Sequence, residues 1–483
     1  MPDRKNCDKI KNMKNEFETI IGLEVHIELL TKTKMYCSCK NTFGAKENTE
    51  ICPICTGYPG TLPTVNKKAV ELAVRAGLAL NCKINRRFKM ARKNYFYPDL
   101  PKGYQISQLD LPLCENGFLN VNEKKYFISN IHLEEDAGKA DDKGVDHNRC
   151  GIPLIEIVTE PCFNSAEEVL TFLKELRLIL IHLDISDCKI EQGSMRCDVN
   201  VSTHYKNDPI GERCELKNVS GFNNILQGIV YEEKRQREII SNGGSIFRET
   251  RRWDIGSMKS VLLRSKENTE DYRYFNEPDL QLVSLPENFV DKIASNISML
   301  PNDKRLYYKS LELSEQIAED IINDIQKDRI FCACIKLNIC APKTSAVLIN
   351  GVISEFLNHN PEFFNNNSDK CKEEFCLSLC KIGRLKEDNI ISSSSVKILF
   401  DSWTKGGKDI SCLVKELKLE QDSDIESIKT LVRQVLQNNQ KSIEAYKNGK
   451  TNVLAFLVGQ CMKLSGGKTD PALCKEYILK EIH

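Results

Sequence analysis

The stretch IGLEVHIELL (Ile21–Leu30) decides the fold that we expect for the first part of the chain. Read as a β-strand, its side chains alternate between two faces. One face is wholly apolar, and the other carries Glu24, His26 and Glu28. An antiparallel sheet with one wet side explains such a polar face without any function. The alternative is a functional row of two carboxylates and an imidazole, and the other strands must decide between the two.

Two further segments, IEIVTE (Ile155–Glu160) and MRCDVNVS (Met195–Ser202), also read as strands with one apolar and one polar face. The polar side chains include Glu156, Asp198 and Asn200. Several such faces on one side of a sheet suit hard cations, because Mg²⁺ prefers oxygen ligands. With Lys and Arg nearby, this chemistry is typical of phosphoryl transfer.

Length and composition indicate a soluble globular protein of several domains. The 483 residues predict two to four domains. With 41% hydrophobic and 28% charged residues, the chain has enough material for a real core. A formal net charge of zero argues against a polycation that coats nucleic acid, but not against local basic patches. No apolar run is long enough to span a bilayer, so we expect no membrane association.

Cysteine usage and the N-terminal sequence indicate the cytoplasm. The 21 cysteines are an odd number with mostly irregular spacing, which favours reduced thiols. The N-terminal residues lack the apolar segment of a secretory signal and are richer in acids than a transit peptide usually is. We therefore expect a cytoplasmic protein, with an organelle as the alternative.

The pattern along the chain changes from mixed to helical. Residues 20–285 alternate short strands, turns and a few helices, which favours an α+β domain over regular βαβ units. One helix is signalled by a capping box of Ser165 and Glu168. Residues 290–405 read as consecutive helices. The segment Lys429–His483 has nine Lys/Arg against four Asp/Glu, so this end is basic.

Four cysteines form the strongest local motif. Cys37 and Cys39 are followed, twelve residues later, by Cys52 and Cys55. Two close pairs joined by a short loop can place four thiolates around one Zn²⁺, and a reducing compartment favours zinc over disulfides. Such a zinc ion is structural, because four thiolates leave no open coordination position. The alternative is four ordinary thiols in a cysteine-rich chain.

A basic and aromatic run, KINRRFKMARKNYFYPDLPKGYQ (Lys83–Gln105), is the second local signal. Cations neutralise phosphates and aromatic faces stack on bases, so the run suits a polyanion such as ATP or tRNA. The alternative is a solvated basic loop beside a core strand. The acidic segment HLEEDAGKADD (His132–Asp142) adds three consecutive acids with Lys139 behind them.

These segments together resemble the GatB family, the B subunits of the amidotransferases that act on misacylated aspartyl-tRNA(Asn) and glutamyl-tRNA(Gln). The resemblance covers nearly the whole chain and rests on seven long matches in order, with an eighth, YKNGKTNVLAFLVGQCMK (Tyr446–Lys463), in the basic tail. The seven are GLEVHIEL (Gly22–Leu29), CPICTGYPGTLPTVNKKAVELAVRAGLALN (Cys52–Asn81), RKNYFYPDLPKGYQISQ (Arg92–Gln108), HLEEDAGK (His132–Lys139), IPLIEIVTEP (Ile152–Pro161), GSMRCDVNVS (Gly193–Ser202) and DYRYFNEPDL (Asp271–Leu280).

The resemblance implies an α+β fold with three domains. Residues 21–290 would form a cradle-shaped catalytic domain with an antiparallel sheet and a glutamine-synthetase-like core, including a zinc knuckle at 37–55. Residues 1–20 would be an N-terminal extension, residues 291–408 a helical domain, and residues 409–483 a small helical tail domain that binds tRNA.

The resemblance also implies an activity and its residues. ATP would phosphorylate the side-chain carboxylate of the tRNA-bound Glu or Asp, and ammonia would then displace phosphate, so the enzyme is a carbon–nitrogen ligase with glutamine as amido donor. The implied catalytic and Mg²⁺-binding residues are Glu24, His26, Glu135, Glu156 and Asp198. Contacts to ATP or substrate are expected from Arg92, Lys93, Tyr95, Lys139, Arg196 and Asn200. The implied structural Zn²⁺ ligands are Cys37, Cys39, Cys52 and Cys55.

Partners follow from what the chain lacks. No serine–serine–lysine, glycine-rich amidase signature is present, so ammonia must come from another chain. The resemblance implies a GatCAB heterotrimer, in which the partners are an amidase (the A chain) and a small third protein (the C chain). A competing hypothesis is a zinc-stabilised tRNA-binding adaptor without chemistry, which would not need acids on several strands. A zinc hydrolase is disfavoured, because no open His/carboxylate zinc set is evident.

Overall fold

The stretch Ile21–Leu30 lies in the central strand of a nine-stranded sheet, as its alternation predicts. In the computed structural model this strand, β1, runs from Phe17 to Glu28. Its apolar side chains are fully buried, and Glu24, His26 and Glu28 are half-buried on the other face. The polar face is therefore covered rather than wet. The structure describes residues 16–142, 144–217, 219–265, 272–361, 363–407, 409–421, 425–447, 449–466 and 468–482.

The first predicted boundary needs correction. Strand β1 begins at Phe17, inside the segment 1–20 that we expected to be an extension. The reason is local packing, because the Phe17 ring stacks on Tyr205 with the centroids 4.5 Å apart, and the two residues are register partners. Residues 1–15 lie outside the described residues.

Sixteen strands occur in the described residues. They are β1 (Phe17–Glu28), β2 (Lys83–Ile84), β3 (Arg87–Phe88), β4 (Ala91–Asn94), β5 (Tyr104–Ser107), β6 (Cys114–Val121), β7 (Lys124–Glu135), β8 (Lys139–Asp141), β9 (Gly144–Asp146), β10 (Pro153–Thr159), β11 (Met195–Tyr205), β12 (Cys214–Lys217), β13 (Glu249–Asp254), β14 (Lys259–Ser265), β15 (Phe275–Asn276) and β16 (Val283–Ser284).

The main sheet has the order β14-β13-β12-β11-β1-β10-β7-β6-β2. All its pairs are antiparallel except β12–β13, which is parallel, so the expectation of a purely antiparallel sheet is corrected to a mixed one. The cause is the connection, because a long helix, Phe222–Ser241, links β12 to β13 and carries the chain back to the same end of the sheet.

Helices cover the apolar face of the sheet. In this first unit they are α1 (Lys67–Ala79), α2 (Ala166–His182), α3 (Phe222–Ser241) and α4 (Phe289–Ala294). The predicted capping box of α2 is confirmed: Ser165 Oγ accepts from the Glu168 N–H at 3.2 Å, and the Glu168 carboxylate accepts from the Asn164 N–H at 2.9 Å. The helices share one hydrophobic core with β1, β10 and β11, which leaves the opposite sheet face to the polar side chains.

A small sheet of order β15-β4-β5 contains part of the basic and aromatic run. Lys93 of β4 pairs with Gln105 of β5, and Phe275 of β15 pairs with Arg92 on the other side of β4. Two further two-stranded sheets, β16-β3 and β8-β9, complete the strand inventory of the described residues.

The chain divides into two compact units, with the division after Pro301. The second unit is helical, as expected for this part of the chain. Its helices are α5 (Pro301–Ser310), α6 (Glu315–Ile322), α7 (Ile325–Leu337), α8 (Pro342–Leu348), α9 (Ser354–His359), α10 (Phe363–Asn366), α11 (Asp369–Glu387), α12 (Ser393–Gly406), α13 (Ile410–Glu416), α14 (Ile425–Asn438), α15 (Gln440–Lys447), α16 (Val453–Leu464) and α17 (Pro471–Ile482), with a π-helical turn at Ile349–Ile353.

Two separate hydrophobic clusters lie in this second unit. The larger one reaches from Tyr308 to Leu419 and the smaller from Ile428 to Ile482. Ile410 and Leu413 of α13 pack in the larger cluster, so the structure places the change of core after Leu419 rather than at the predicted 408/409 boundary. Residue 408 lies outside the described residues. Among the described helices, none combines the length and the apolar character needed to cross a bilayer.

Candidate active site

Strand register brings distant polar residues together on the covered face of the main sheet. His26 is the partner of Glu156 on one side and of Arg196 on the other. Two residues earlier in β1, Glu24 is the partner of Asp198. Because side chains two apart on a strand share a face, these pairs form neighbouring rows about 7 Å apart.

The first group of potential ligands, the His26 cluster, consists of His26, Glu134 and Glu156. One ligand atom from each lies within 4.8 Å of the others. His26 Nε2 is 3.7 Å from an oxygen of Glu134 and 3.7 Å from an oxygen of Glu156. His132 Nδ1 lies 3.8 Å from the other Glu156 oxygen and so orients that carboxylate from behind.

The small sheet closes over the His26 cluster. Ser107 Oγ donates to Glu134 Oε1 at 2.6 Å, and Gln105 Nε2 donates to Glu134 Oε2 at 3.3 Å. Burial and the nearby charge of Glu156 raise the pKa of Glu134. Burial lowers the pKa of Lys93, but the charges of Glu134 and Glu156 outweigh it and raise that pKa above its usual value. Lys93 is therefore a permanent cation beside two carboxylates.

The second group, the Glu24 cluster, consists of Glu24, Asp198 and Glu215, whose oxygens also lie within 4.8 Å of one another. Lys217 Nζ lies 3.2 Å from Asp198 and 3.0 Å from Glu215. Thr250 Oγ1 donates to Glu215 Oε2 at 2.9 Å. Burial, followed by the charges of Glu156 and Glu215, raises the pKa of Glu24. A divalent cation would relieve this concentration of negative charge.

The expectation for Glu135 needs correction. Neighbouring residues on a strand point to opposite sides, and it is Glu134 that faces His26. The Glu135 carboxylate instead pairs with Lys102 Nζ and accepts from the Ile106 N–H at 3.0 Å. It lines a separate cavity of about 160 Å³ that Tyr36 and Cys55 also line.

The other predicted contact residues divide into three kinds. Arg196 Nη1 lies 3.0 Å from Asp136, and Arg92 holds Glu277 in a two-point ion pair at 2.7 and 2.9 Å, so both guanidinium groups have protein partners. Asn200 Nδ2 donates to Glu24 Oε1 at 3.0 Å and belongs to the site. Lys139 is exposed on β8, away from both clusters by contact.

Tyr95 and the third acid of the opening stretch also have defined surroundings. The Tyr95 hydroxyl donates to Gln105 Oε1 at 3.4 Å, which links it to the wall over the His26 cluster. Glu28 belongs to neither cluster. Burial, with the nearby Asp136 charge, raises the pKa of Glu28 to about 7.

Sequence reasoning missed Glu134 and Glu215. Glu134 has a signal in the sequence, because it shares the face of His132, two residues earlier, in the acidic segment. Glu215 lies on a four-residue strand whose pairing with Asn200 only the register reveals.

The four predicted zinc ligands come together. The Sγ atoms of Cys37, Cys39, Cys52 and Cys55 all lie within 4.8 Å of one another, and those of Cys52 and Cys55 are 3.9 Å apart. Tetrahedral Zn–S bonds of about 2.3 Å need sulfur atoms about 3.8 Å apart, so this donor set fits zinc. A hydrogen bond from Cys37 and the charge of nearby Lys34 lower the pKa of Cys55, although burial opposes them.

Comparison with known proteins now gives the family. A model described as the GatB/GatE catalytic domain matches residues 19–291, and one described as the GatB domain matches residues 331–482. The chain belongs to the GatB family. It is 44% identical to the B subunit of the aspartyl/glutamyl-tRNA(Asn/Gln) amidotransferase from Caldicellulosiruptor bescii, over 97% of this chain and 99% of that protein. The proteins of the same name from Clostridium novyi and Thermodesulfovibrio yellowstonii are each 41% identical, over 97% and 96% of this chain and 99% of theirs.

Family membership places both ligand clusters in the matched catalytic region. The resemblance inferred from the seven segments is thereby confirmed, and the adaptor hypothesis is not favoured, since the relatives are named as amidotransferase subunits. The assignment of individual residues to metal, ATP or zinc stays a prediction.

Proposed function

We propose that this chain is the B subunit of a tRNA-dependent amidotransferase, acting on Glu-tRNA(Gln), Asp-tRNA(Asn) or both. The observation that supports this most strongly is the pair of three-residue ligand groups on one face of the sheet, in a chain that matches the named relatives over 97% of its length. A binding module would not need two carboxylate groups assembled from five separate strands.

The proposed reaction has two steps. A side-chain carboxylate oxygen of the tRNA-bound amino acid attacks the γ-phosphorus of ATP, the bond from that phosphorus to the β–γ bridging oxygen breaks, and ADP leaves. Ammonia then attacks the carbonyl carbon of the acyl phosphate, the carbon–oxygen bond to phosphate breaks, and inorganic phosphate and one proton leave. The amide on the tRNA is the product, so the reaction is that of a carbon–nitrogen ligase.

The chain's own residues meet the electrostatic demands of the first step. When bound, Mg²⁺ would neutralise charge on the phosphates. His26, Glu134 and Glu156 offer one set of ligands for it, and the Glu24 cluster offers another. His132 and Thr250 hold carboxylates of the two clusters in place. Lys93 and Lys217 supply fixed positive charge beside the clusters, where it can stabilise a transferring phosphoryl group.

The remaining features complete the proposal. We propose that the cradle with its glutamine-synthetase-like core holds this chemistry, that the cysteine knuckle holds a structural Zn²⁺, and that the basic tail contacts tRNA. The amidase of the GatCAB heterotrimer would deliver ammonia, and its small third protein would complete the assembly. The cytoplasm, or an organelle, stays the predicted compartment.

Release of phosphate tests the proposal. The full chain, assembled with its amidase and its small third partner, should release inorganic phosphate from ATP only when Mg²⁺ and Glu-tRNA(Gln) or Asp-tRNA(Asn) are both present. Ammonium chloride should replace glutamine as nitrogen donor, and mass spectrometry of the aminoacyl-tRNA should show the amide. Release of phosphate at the same rate with uncharged tRNA would contradict the proposal.

A further inference from the structure

A cavity of about 330 Å³ opens on the metal-binding face of the main sheet, next to the Glu24 cluster. Its floor is formed by side chains on the same face as Glu24, since Gly22 and Ile20 precede it at intervals of two along β1. Gly22 has no side chain, which keeps the floor low at this point. The volume is at the lower end of the range of about 300–1,000 Å³ that small-molecule sites occupy.

Two arginines line this cavity, which we call the Gly22 cavity. Arg213 and Arg248 directly precede Cys214 and Glu249, which are partners in the parallel pair β12–β13. Neither makes an ion pair or hydrogen bond with any residue that the structure describes, and Arg248 Nε is buried without a partner. Among the lining residues, only Glu24 and Glu212 are acidic.

Charge therefore alternates along the face. Two uncompensated guanidinium groups lie at the cavity, the acidic Glu24 cluster lies next, and the His26 cluster lies one row further. A polyphosphate with bound divalent cations has the complementary sequence of charge, because its oxygens attract both guanidinium groups and carboxylate-held cations.

The far end of the face has a different chemistry. Beyond the His26 cluster lie tyrosine rings: Tyr95 and Tyr272 have centroids 6.1 Å apart, Tyr272 and Tyr274 6.0 Å, and Tyr95 and Tyr97 5.8 Å. Lys93 Nζ lies 4.9 Å from the centre of the Tyr272 ring. This tyrosine group is half-buried at Tyr95 and Tyr272 and becomes 56% exposed at Tyr97.

An aromatic group that extends from the site to solvent suits a strand of nucleotides more than a single nucleotide. Unpaired bases at an RNA end stack on such rings, and each stacked base contributes substantially to affinity. The Gly22 cavity, by contrast, is bounded by strands and by the loop that leads to β12, and has room for one nucleotide.

We infer that the site has a fixed direction: ATP places its nucleoside and inner phosphates in the Gly22 cavity, and the 3′-terminal nucleotide of the aminoacyl-tRNA stacks on the tyrosine group. The γ-phosphate then points toward the His26 cluster and meets the carboxylate arriving from the opposite side. The inference rests on the proposed function for its two substrates, but the direction is a separate claim.

Two variants test the cavity end, in the full chain assembled with its amidase and its small third partner. Gly22→Leu fills the floor, and Gly22→Ala is its control, because a Cβ there would have only an ordinary contact of 3.6 Å to Pro161 Cα. We expect Gly22→Leu and Arg248→Ala to raise the KM for ATP at least tenfold and to leave the KM for Glu-tRNA(Gln) within twofold. Gly22→Ala should stay within twofold for both.

The opposite split should occur at the tyrosine group. Tyr272→Ala should raise the KM for Glu-tRNA(Gln) about tenfold and leave that for ATP within twofold, and Tyr272→Phe, which keeps the ring, should restore wild-type values. A rise in the KM for ATP with Tyr272→Ala, or for tRNA with Gly22→Leu, would overturn the inference.

Equilibrium binding separates this inference from the proposed function. Binding of Mg²⁺ with the non-hydrolysable analogue AMP-PNP is measured for each variant, after thermal unfolding has shown that it is folded. Weakening by Gly22→Leu but not by Tyr272→Ala supports the direction even if the wild type releases no phosphate. Equal weakening by both, or by neither, overturns it even if the wild type is fully active.

Discussion

The cysteine knuckle and the two acidic clusters both gather ligands for a metal ion, but the chain assembles them in different ways. The knuckle takes its four thiols from residues 37–55, a single loop segment. The acidic clusters take six ligands from β1, β7, β10, β11 and β12, so they depend on the pairing of strands far apart in the chain. A local site survives as long as its loop does, whereas a site made by register needs the whole sheet.

The largest expected effect is loss of a cluster carboxylate. Glu156→Gln or Asp198→Asn removes a charged ligand from the His26 or the Glu24 cluster, and we expect kcat/KM for Mg²⁺- and ATP-dependent amidation to fall by about 10³-fold. Glu160→Gln, at an exposed acid just after β10, is the matched control and should stay near wild type. Full activity of both cluster variants would remove the metal role of the face.

A second prediction sharpens the register argument at two neighbouring acids. Glu134→Gln should raise the Mg²⁺ concentration for half-maximal activity about 100-fold, because Glu134 faces His26. Glu135→Gln should leave that concentration near wild type and instead lower the free energy of unfolding by about 1–3 kcal/mol, since buried Lys102 loses its charged partner. Magnesium titration of activity and urea unfolding measure the two quantities. The reverse result would mean that Glu135 is the ligand.

A smaller effect is expected one contact away from the ions. Thr250→Val keeps the shape of the side chain but removes the hydrogen bond to Glu215. We expect Mg²⁺ affinity to fall about tenfold, because partners of metal-binding groups orient them. Thr250→Ser, which keeps the hydroxyl, should behave as wild type; a deficit as large as that of the valine variant would show that packing and not the hydrogen bond matters.

The smallest effect on turnover is expected at the knuckle. Cys39→Ser should lower zinc content, measured by inductively coupled plasma mass spectrometry, from one ion per chain toward zero, and should lower the melting temperature. Activity per folded molecule should stay within about twofold, because a four-thiolate site has no open position for chemistry. Cys412→Ser, at an exposed cysteine outside the knuckle, should retain the zinc.

This contrast also explains what could be predicted from the sequence. The spacing of Cys37 to Cys55 was sufficient to propose the knuckle, and alternation was sufficient to assign β1, β10 and β11 and their polar faces. Which acids share a cluster depends on register, so Glu215 on the short β12 was missed and Glu135 was chosen in place of Glu134. The parallel β12–β13 pair and the guanidinium groups beside the Gly22 cavity likewise require knowledge of where α3 returns the chain.

Binding of Mn²⁺ in place of Mg²⁺, followed by electron paramagnetic resonance, tests the central claim most directly. The account predicts two Mn²⁺ ions per chain in the presence of AMP-PNP, close enough to show dipolar coupling because the clusters lie about 7 Å apart along β1. Glu156→Gln should remove one ion and Asp198→Asn the other, and each loss should abolish the coupling. No stoichiometric Mn²⁺ binding, or binding that both variants leave unchanged, would contradict the claim that carboxylates from separate strands converge to hold the cations.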